Sequence, residues 1–209
     1  MNDEKPSFGE RIIEILAVLL LGIATVGTAW CGYQSSQWNG AQGDFAREAS
    51  DQRVEASRLF GLATQRIAYD AGIVAQYAQA VQSGNDKLAQ FYRKSLVRPP
   101  FLPLLDKWEA EVKAGGTPTS LFEDPAYLDE QFKDYNDAVK QSEALTAESQ
   151  RASEISNEYV ITTILLAVAL FFAGVTSSFK YKPARVMLVI LAVGTVGVAA
   201  VRLADLPIS

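Results

Sequence analysis

Hydrophobic and polar positions divide the chain into three apolar runs and two long amphipathic stripes. The first run covers residues 12–31 and contains one charge, Glu14, near its start. About 20 apolar residues rising 1.5 Å each cross a hydrocarbon layer of roughly 30 Å, which predicts a transmembrane helix over residues 12–33. Ser7, Phe8, Gly9 and Glu10 have the pattern of a capping box, so this helix should start near residue 8. Residues 159–178 form a second run without any charge. Residues 186–204 form a third, in which Arg202 lies near the end and can carry its charge outward on an aliphatic stem.

The stripes lie between the first two runs. Trp38, Ala41, Phe45, Ala49, Ala56, Leu59, Ala63, Ile67, Val74, Tyr77 and Val81 recur at intervals of three and four or their sums, which puts them on one helix face. Gln52 and Asp70 (or Ala71) fall on the same face and interrupt it, and Gly84-Asn85 should end the helix. Gly40, Gly43, Gly61 and Gly72 weaken it as an isolated helix and are expected to let a neighbour approach closely. Asp124-Pro125 reads as an N-cap followed by proline at the first helical position. Leu128, Phe132, Tyr135, Val139, Ser142, Leu145, Ser149, Ala152, Ile155 and Tyr159 then form a second stripe that runs into the second apolar run.

The expected fold is therefore all-α, with three transmembrane helices and an antiparallel long-helix stalk close to the membrane. Short helices over 86–98 and 103–114, punctuated by Pro99-Pro100 and Gly115-Gly116, should fold back and complete a four-helix-bundle-like domain, with residues 117–123 as a loop. The domain order is a tail over 1–11, a span over 12–33, the helical domain over 34–158, spans over 159–178 and 186–204 joined by residues 179–185, and a tail over 205–209.

Charge orients this arrangement. The connection over 179–185 carries Lys180, Lys182 and Arg185 and no acid, which the positive-inside rule places in the cytoplasm. The N-terminus is then cytoplasmic, and residues 34–158 and the C-terminus are extracytoplasmic. Lys5 and Arg11 agree, with Asp3, Glu4 and Glu10 as offsets. Trp30, Tyr33, Trp38 and Tyr159 read as anchors at the membrane interface. Gly27-Thr28-Ala29 resembles a signal-peptidase site, but the apolar run is long for a signal and continues past it, so the span is read as retained. Trp30 before Cys31 argues against a lipoprotein signal.

Composition removes several functions. The net charge of −5 is dispersed and leaves no nucleic-acid footprint. No histidine is present, which removes the commonest general base and metal ligand. A single cysteine, Cys31, permits neither an intrachain disulfide nor a thiolate cage. Glu109, Glu111, Asp134, Asp137 and Glu143 are scattered among cations as on a solvated face, unlike a hydrolase pair. No catalytic residue, metal site or cofactor is expected. Glu14 has two readings, an intramembrane carboxylate handling protons or cations, or an interfacial partner of Arg11, Lys180, Lys182 or Arg185. Phe91, Tyr92, Phe101 and Trp108 either line a small-ligand pocket or close a core. Ala169/Ala173 and Ala200/Ala204 have small-xxx-small spacing, which permits close helix contact.

Ala29-Trp30-Cys31-Gly32-Tyr33-Gln34 with Trp38 and Gln42, Arg98-Pro99-Pro100-Phe101 with Trp108, and Asn157-Glu158-Tyr159-Val160 leading into Leu170-Phe171-Phe172-Ala173-Gly174 occur in that order. This pattern resembles a widespread group of uncharacterised bacterial three-span membrane proteins. The resemblance implies the topology above and a bacterial inner-membrane location. The group carries no assigned activity, so no catalytic residue transfers. The chain departs from it at Gly115 to Thr119, where a longer proline-rich connection is expected.

These readings point to a non-enzymatic integral membrane protein, an interaction, accessory or scaffold subunit acting through its helical extracytoplasmic domain. Its partners would be the lipid bilayer and either a second copy or another membrane protein. The alternatives are a ligand-sensing module that signals through a partner, similar at fold level to the sensor half of bacterial chemoreceptors, and a subunit of an oligomeric channel or transporter. The last would need a pore lined by Thr25, Thr28, Thr162, Thr163 and Thr195.

Overall fold

A computed structural model describes residues 8–115, 120–179 and 181–209, with the side chain of Glu10 excepted. Ser7 and the Glu10 side chain of the capping box, Lys5, Lys180, and residues 116–119 of the tip connection lie outside the described residues. Five α-helices contain most of the rest: α1 (Phe8–Gln82), α2 (Asp86–Phe91), α3 (Leu102–Lys113), α4 (Pro125–Val175) and α5 (Lys182–Asp205). No strand occurs among the described residues. Helices α1, α4 and α5 are each long and apolar enough to cross a membrane. The chain forms two compact units, one of Met1–Arg47 with Leu145–Ser209 and the other of Glu48–Ala144.

The first unit packs the beginning of α1, the end of α4 and all of α5 along a seam of small side chains. Ala24, Cys31, Ala169 and Ala199 are buried beside Ile155, Tyr159 and Leu166, and Leu20, Ala173, Val189 and Ala192 form a second cluster. Small residues bring helix backbones close, so that dispersion contacts hold the helices together where apolar surroundings offer little hydrophobic gain. Gly27 marks a close approach, since a Cβ there would lie 3.0 Å from Leu166 Cδ1. Ser149 donates to the Gln42 carbonyl and Ser156 to the Ser35 carbonyl. The acceptor number falls as the donor number rises, so α1 and α4 run antiparallel within this unit.

Three expectations for this unit change. Ala169/Ala173 is buried as a packing pair, but Ala200 and Ala204 face outward, and Ala192 and Ala199 make the seam of α5 instead. Helix α5 begins at Lys182, which puts Lys182 and Arg185 on its first turn, not in a loop. Pro183 permits this because its missing N–H has no intrahelical partner in that turn anyway. Gly40 and Gly43 do not mark a close approach, because a Cβ on either would meet nothing within 4 Å.

The second unit combines the rest of α1 with α2, α3 and the start of α4. Its core holds Val74, Tyr77, Ala80, Ala89, Val97, Phe101, Leu105, Leu121 and Tyr127. Phe101 stacks on Phe122 at 5.6 Å and meets the Tyr127 ring edge-on at 5.3 Å, a geometry favoured by aromatic quadrupoles. Helix α1 ends as predicted: Gly84 takes φ +68°, which glycine tolerates, and the Asn85 side chain accepts from Leu88 N to cap α2. Helix α2 stops at Phe91 and passes through a π turn over Tyr92–Leu96, so the helix expected to residue 98 is shorter. Asp124 Oδ1 accepts from Ala126 N and Tyr127 N, the predicted N-cap of α4. Gly61 and Gly72 also have open space where a Cβ would go, which corrects their expected role as contact points.

Candidate functional site

Asp70 is the most informative polar residue of the second unit. It lies on the apolar stripe of α1 and only 2% of it is exposed. A carboxylate in that position needs full hydrogen bonding, because burial without partners costs several kcal/mol. Arg98 supplies two donors, Nε to Oδ1 at 2.9 Å and a terminal nitrogen to Oδ2 at 2.5 Å. The Tyr127 hydroxyl donates to Oδ2 at 2.7 Å, and Arg98 also donates to Gln131 Oε1 at 3.1 Å.

The cluster draws on three parts of the chain. Arg98 is placed by extended backbone just before Pro99, a residue type that disfavours helix at the position preceding it. Tyr127 and Gln131 lie on one face of α4. The Asp70 bond raises the affinity of Arg98 for its proton, and burial followed by the Asp70 bond pushes the Tyr127 phenol well above its usual range. Both shifts keep the proton on Arg98 and on Tyr127 at pH 7. Each oxygen of Asp70 has a donor.

A more exposed network lies nearby in the same unit. Arg93 pairs with Glu109 at 2.5 Å and with Asp106, and the Tyr77 hydroxyl donates to Glu109 at 2.5 Å. Burial first, and then the Glu109 bond, raises the Tyr77 phenol. Of the tip aromatics, Phe101 is core, Tyr92 and Trp108 pack against that core, and Phe91 is exposed. Trp108 and Glu111 also line a cleft of about 160 Å³ with Ser120 and Asp124.

In the first unit the interface residues divide. Trp30 and Tyr33 are exposed with ring centroids 6.1 Å apart, as outward anchors require. Tyr159 is 1% exposed, so its ring cannot face lipid and its reading as an anchor is corrected. Its hydroxyl donates to the Pro207 carbonyl at 3.2 Å, and Trp38 Nε1 donates to the same oxygen at 3.2 Å. Gln34, also buried, accepts from Ser209 N and Oγ at 3.0 and 2.8 Å. The segment after α5 is thereby fastened to α1 and α4. Glu14 lies 3.1 Å from Arg185, and Glu158 lies 2.9 Å from Arg202.

Sequence reasoning missed Asp70 as a site and missed its partners altogether. One signal was present: a carboxylate on an apolar stripe is rarely buried without a cation. Gln34 and Pro207 gave no comparable signal.

No family model, curated protein or solved structure matches the chain.

Proposed function

We propose that the chain is a non-enzymatic integral membrane protein, an accessory or scaffold subunit that recognises a protein partner through its helical domain. In this reading α1, α4 and α5 cross a bacterial inner membrane with the N-terminus in the cytoplasm. Residues 34–158 stand outside, as an antiparallel stalk closed by the short helices into a bundle. The cations at Lys182 and Arg185 and the resemblance carried by residues 29–34 and 98–101 support this orientation and location.

The observation that carries the interaction reading is an aromatic patch on the second unit. Phe60 is 48% exposed, stacks on Phe132 at 5.6 Å and meets Tyr135 edge-on at 5.4 Å. Charged positions surround it, with the Glu55–Arg58 pair on α1 and Lys133, Asp134 and Asp137 on α4. Such rings gain little by standing in water and much by being covered by another surface. A second copy or another membrane protein could provide that cover.

Ligand sensing has weaker support. The cleft beside Trp108, about 160 Å³, falls below the ~300–1,000 Å³ typical of small-molecule sites, and a hollow of about 370 Å³ between Gln76, Ser83, Leu88 and Tyr92 reaches only the lower end of that range. Conduction is weaker again. Thr25, Thr28, Thr162, Thr163 and Thr195 each donate their hydroxyl to a carbonyl of their own helix, which leaves a poor lining for a pore.

The test is the intact mass of the tagged protein extracted in native nanodiscs, compared with Phe60→Ser. A stoichiometric second polypeptide or a second copy, lost in the variant, is expected. A monomer in both cases would contradict the reading.

A further inference from the structure

Among the described residues, Arg185 is the best-shielded cation at the end of the three apolar segments that carries Glu14. Its side chain is 13% exposed, and its Nε is buried and donates to no described residue. One terminal nitrogen donates to Glu14 Oε1 at 3.1 Å, and that carboxylate is itself 56% exposed and shared with solvent. A guanidinium has five N–H donors in a planar fork, so one shared carboxylate leaves most of its capacity unused.

The surroundings are cationic and aromatic. Arg11 lies one turn before Glu14 on α1, Lys182 lies one turn before Arg185 on α5, and both are exposed. The Glu14–Arg185 bond joins the second turn of α1 to the first turn of α5. Phe8, Phe179 and Tyr181 are exposed at the same end of the helices. Aromatic rings collect in the headgroup layer, at the level of lipid phosphates.

We propose that Arg185, with Arg11 one turn from its partner Glu14, forms a phosphate-binding site whose occupant is an anionic phospholipid headgroup. Arg185 would present paired N–H donors to two phosphate oxygens, and the exposed Arg11 would favour a headgroup with no compensating positive charge. Glu14 competes with the phosphate for the guanidinium and tempers the affinity. The proposal rests on reading α1, α4 and α5 as spans.

The experiment uses the full chain in nanodiscs containing phosphatidylcholine and phosphatidylglycerol, released for native mass spectrometry. Preferential retention of phosphatidylglycerol is expected, reduced roughly tenfold in Arg185→Gln, as loss of a charge-assisted hydrogen bond implies. Arg202→Gln, a cation at the other end of α5, should leave retention unchanged. Glu14→Gln separates this from a purely structural pair. A phosphate site predicts stronger retention once the competitor is neutral, whereas a pair needed only for packing predicts weaker retention. The Glu14→Gln result decides the matter even if Arg185→Gln fails to assemble.

Equal retention of both lipids, or full retention by Arg185→Gln, would overturn the proposal. If millimolar inorganic phosphate displaced the lipid or stabilised the protein equally in phosphatidylcholine alone, the occupant would be free phosphate and the lipid assignment would fall. A chain that does not enter nanodiscs at all would instead overturn the reading of the three helices as spans.

Discussion

The two compact units both bury a series of alanines and differ in what each adds to them. The first places alanine, glycine and cysteine in its seam and directs threonine hydroxyls into its own helices. The second buries Ala49, Ala56, Ala63 and Ala138 as well, and adds a cluster of tyrosine, phenylalanine and leucine and the Asp70–Arg98 pair. In water, a large side chain gains about 25 cal/mol per Å² of apolar surface buried, which favours bulky cores. In hydrocarbon that gain vanishes, and helices associate through close contact of small residues. The added aromatic cluster follows if that part of the second unit is solvated by water, and the seam of the first unit without such a cluster follows if its apolar segments are solvated by lipid.

Several substitutions would break or sharpen the contrast. The largest effect is expected from Arg98→Ala, which leaves the Asp70 carboxylate buried with the Tyr127 hydroxyl as its remaining side-chain donor. Breaking a buried pair costs about 3–5 kcal/mol, and the partial exposure of Arg98 places the loss at the lower end. Amide exchange should show the loss over residues 48–144 with the protection of α5 unchanged. A loss spread equally over both units would mean that they do not respond separately.

Ala169→Leu tests the other side. A leucine in that seam overfills a site built for a methyl group and should cost about 1–3 kcal/mol, read as lost protection in α4 and α5. A neutral result would mean that the seam is looser than its burial indicates.

Alkaline pH should affect the second unit through Tyr127 and Tyr77. Their folded pKa values are raised above the ordinary value of 10.0, so the folded state binds these protons more tightly. The stability this contributes is complete below pH 10 and declines as pH rises from there through the folded values. Near-UV circular dichroism of Tyr127→Phe should show a smaller alkaline loss than the parent.

The smallest effect, and the one of opposite sign, is expected at Gly61. A Cβ there meets nothing within 4 Å, so Gly61→Ala should stabilise α1 by up to about 1 kcal/mol through helix propensity alone. Gly27→Ala must push Leu166 aside and should gain less.

Local and periodic signals made much of the fold readable in advance. The three apolar runs, the Gly84-Asn85 stop and the Asp124-Pro125 start each depend on neighbouring residues, and each is found where expected. What escaped depends on distant ones. Asp70 interrupts the stripe, and its partner Arg98 lies 28 residues away, at the end of a short expected helix and in the Arg98-Pro99-Pro100-Phe101 pattern, neither of which points to a carboxylate. Tyr159 was taken for an anchor because aromatics at a span boundary usually are. Its burial depends on the docking of Pro207, which no periodicity encodes. The glycines of α1 were misjudged for a related reason: glycine permits close approach but does not specify it, and only Gly27 has a neighbour near enough to use the space.

The central claim is that the second unit is bathed in water outside the membrane and the apolar segment of α1 in lipid. It can be tested by labelling intact spheroplasts with a membrane-impermeant maleimide. Val54→Cys and Ile23→Cys, both at well-exposed positions, would be compared in a Cys31→Ser background. The account predicts rapid labelling of Val54→Cys without permeabilisation and none of Ile23→Cys. Equal labelling of the two, or labelling of Val54→Cys only after permeabilisation, would contradict it.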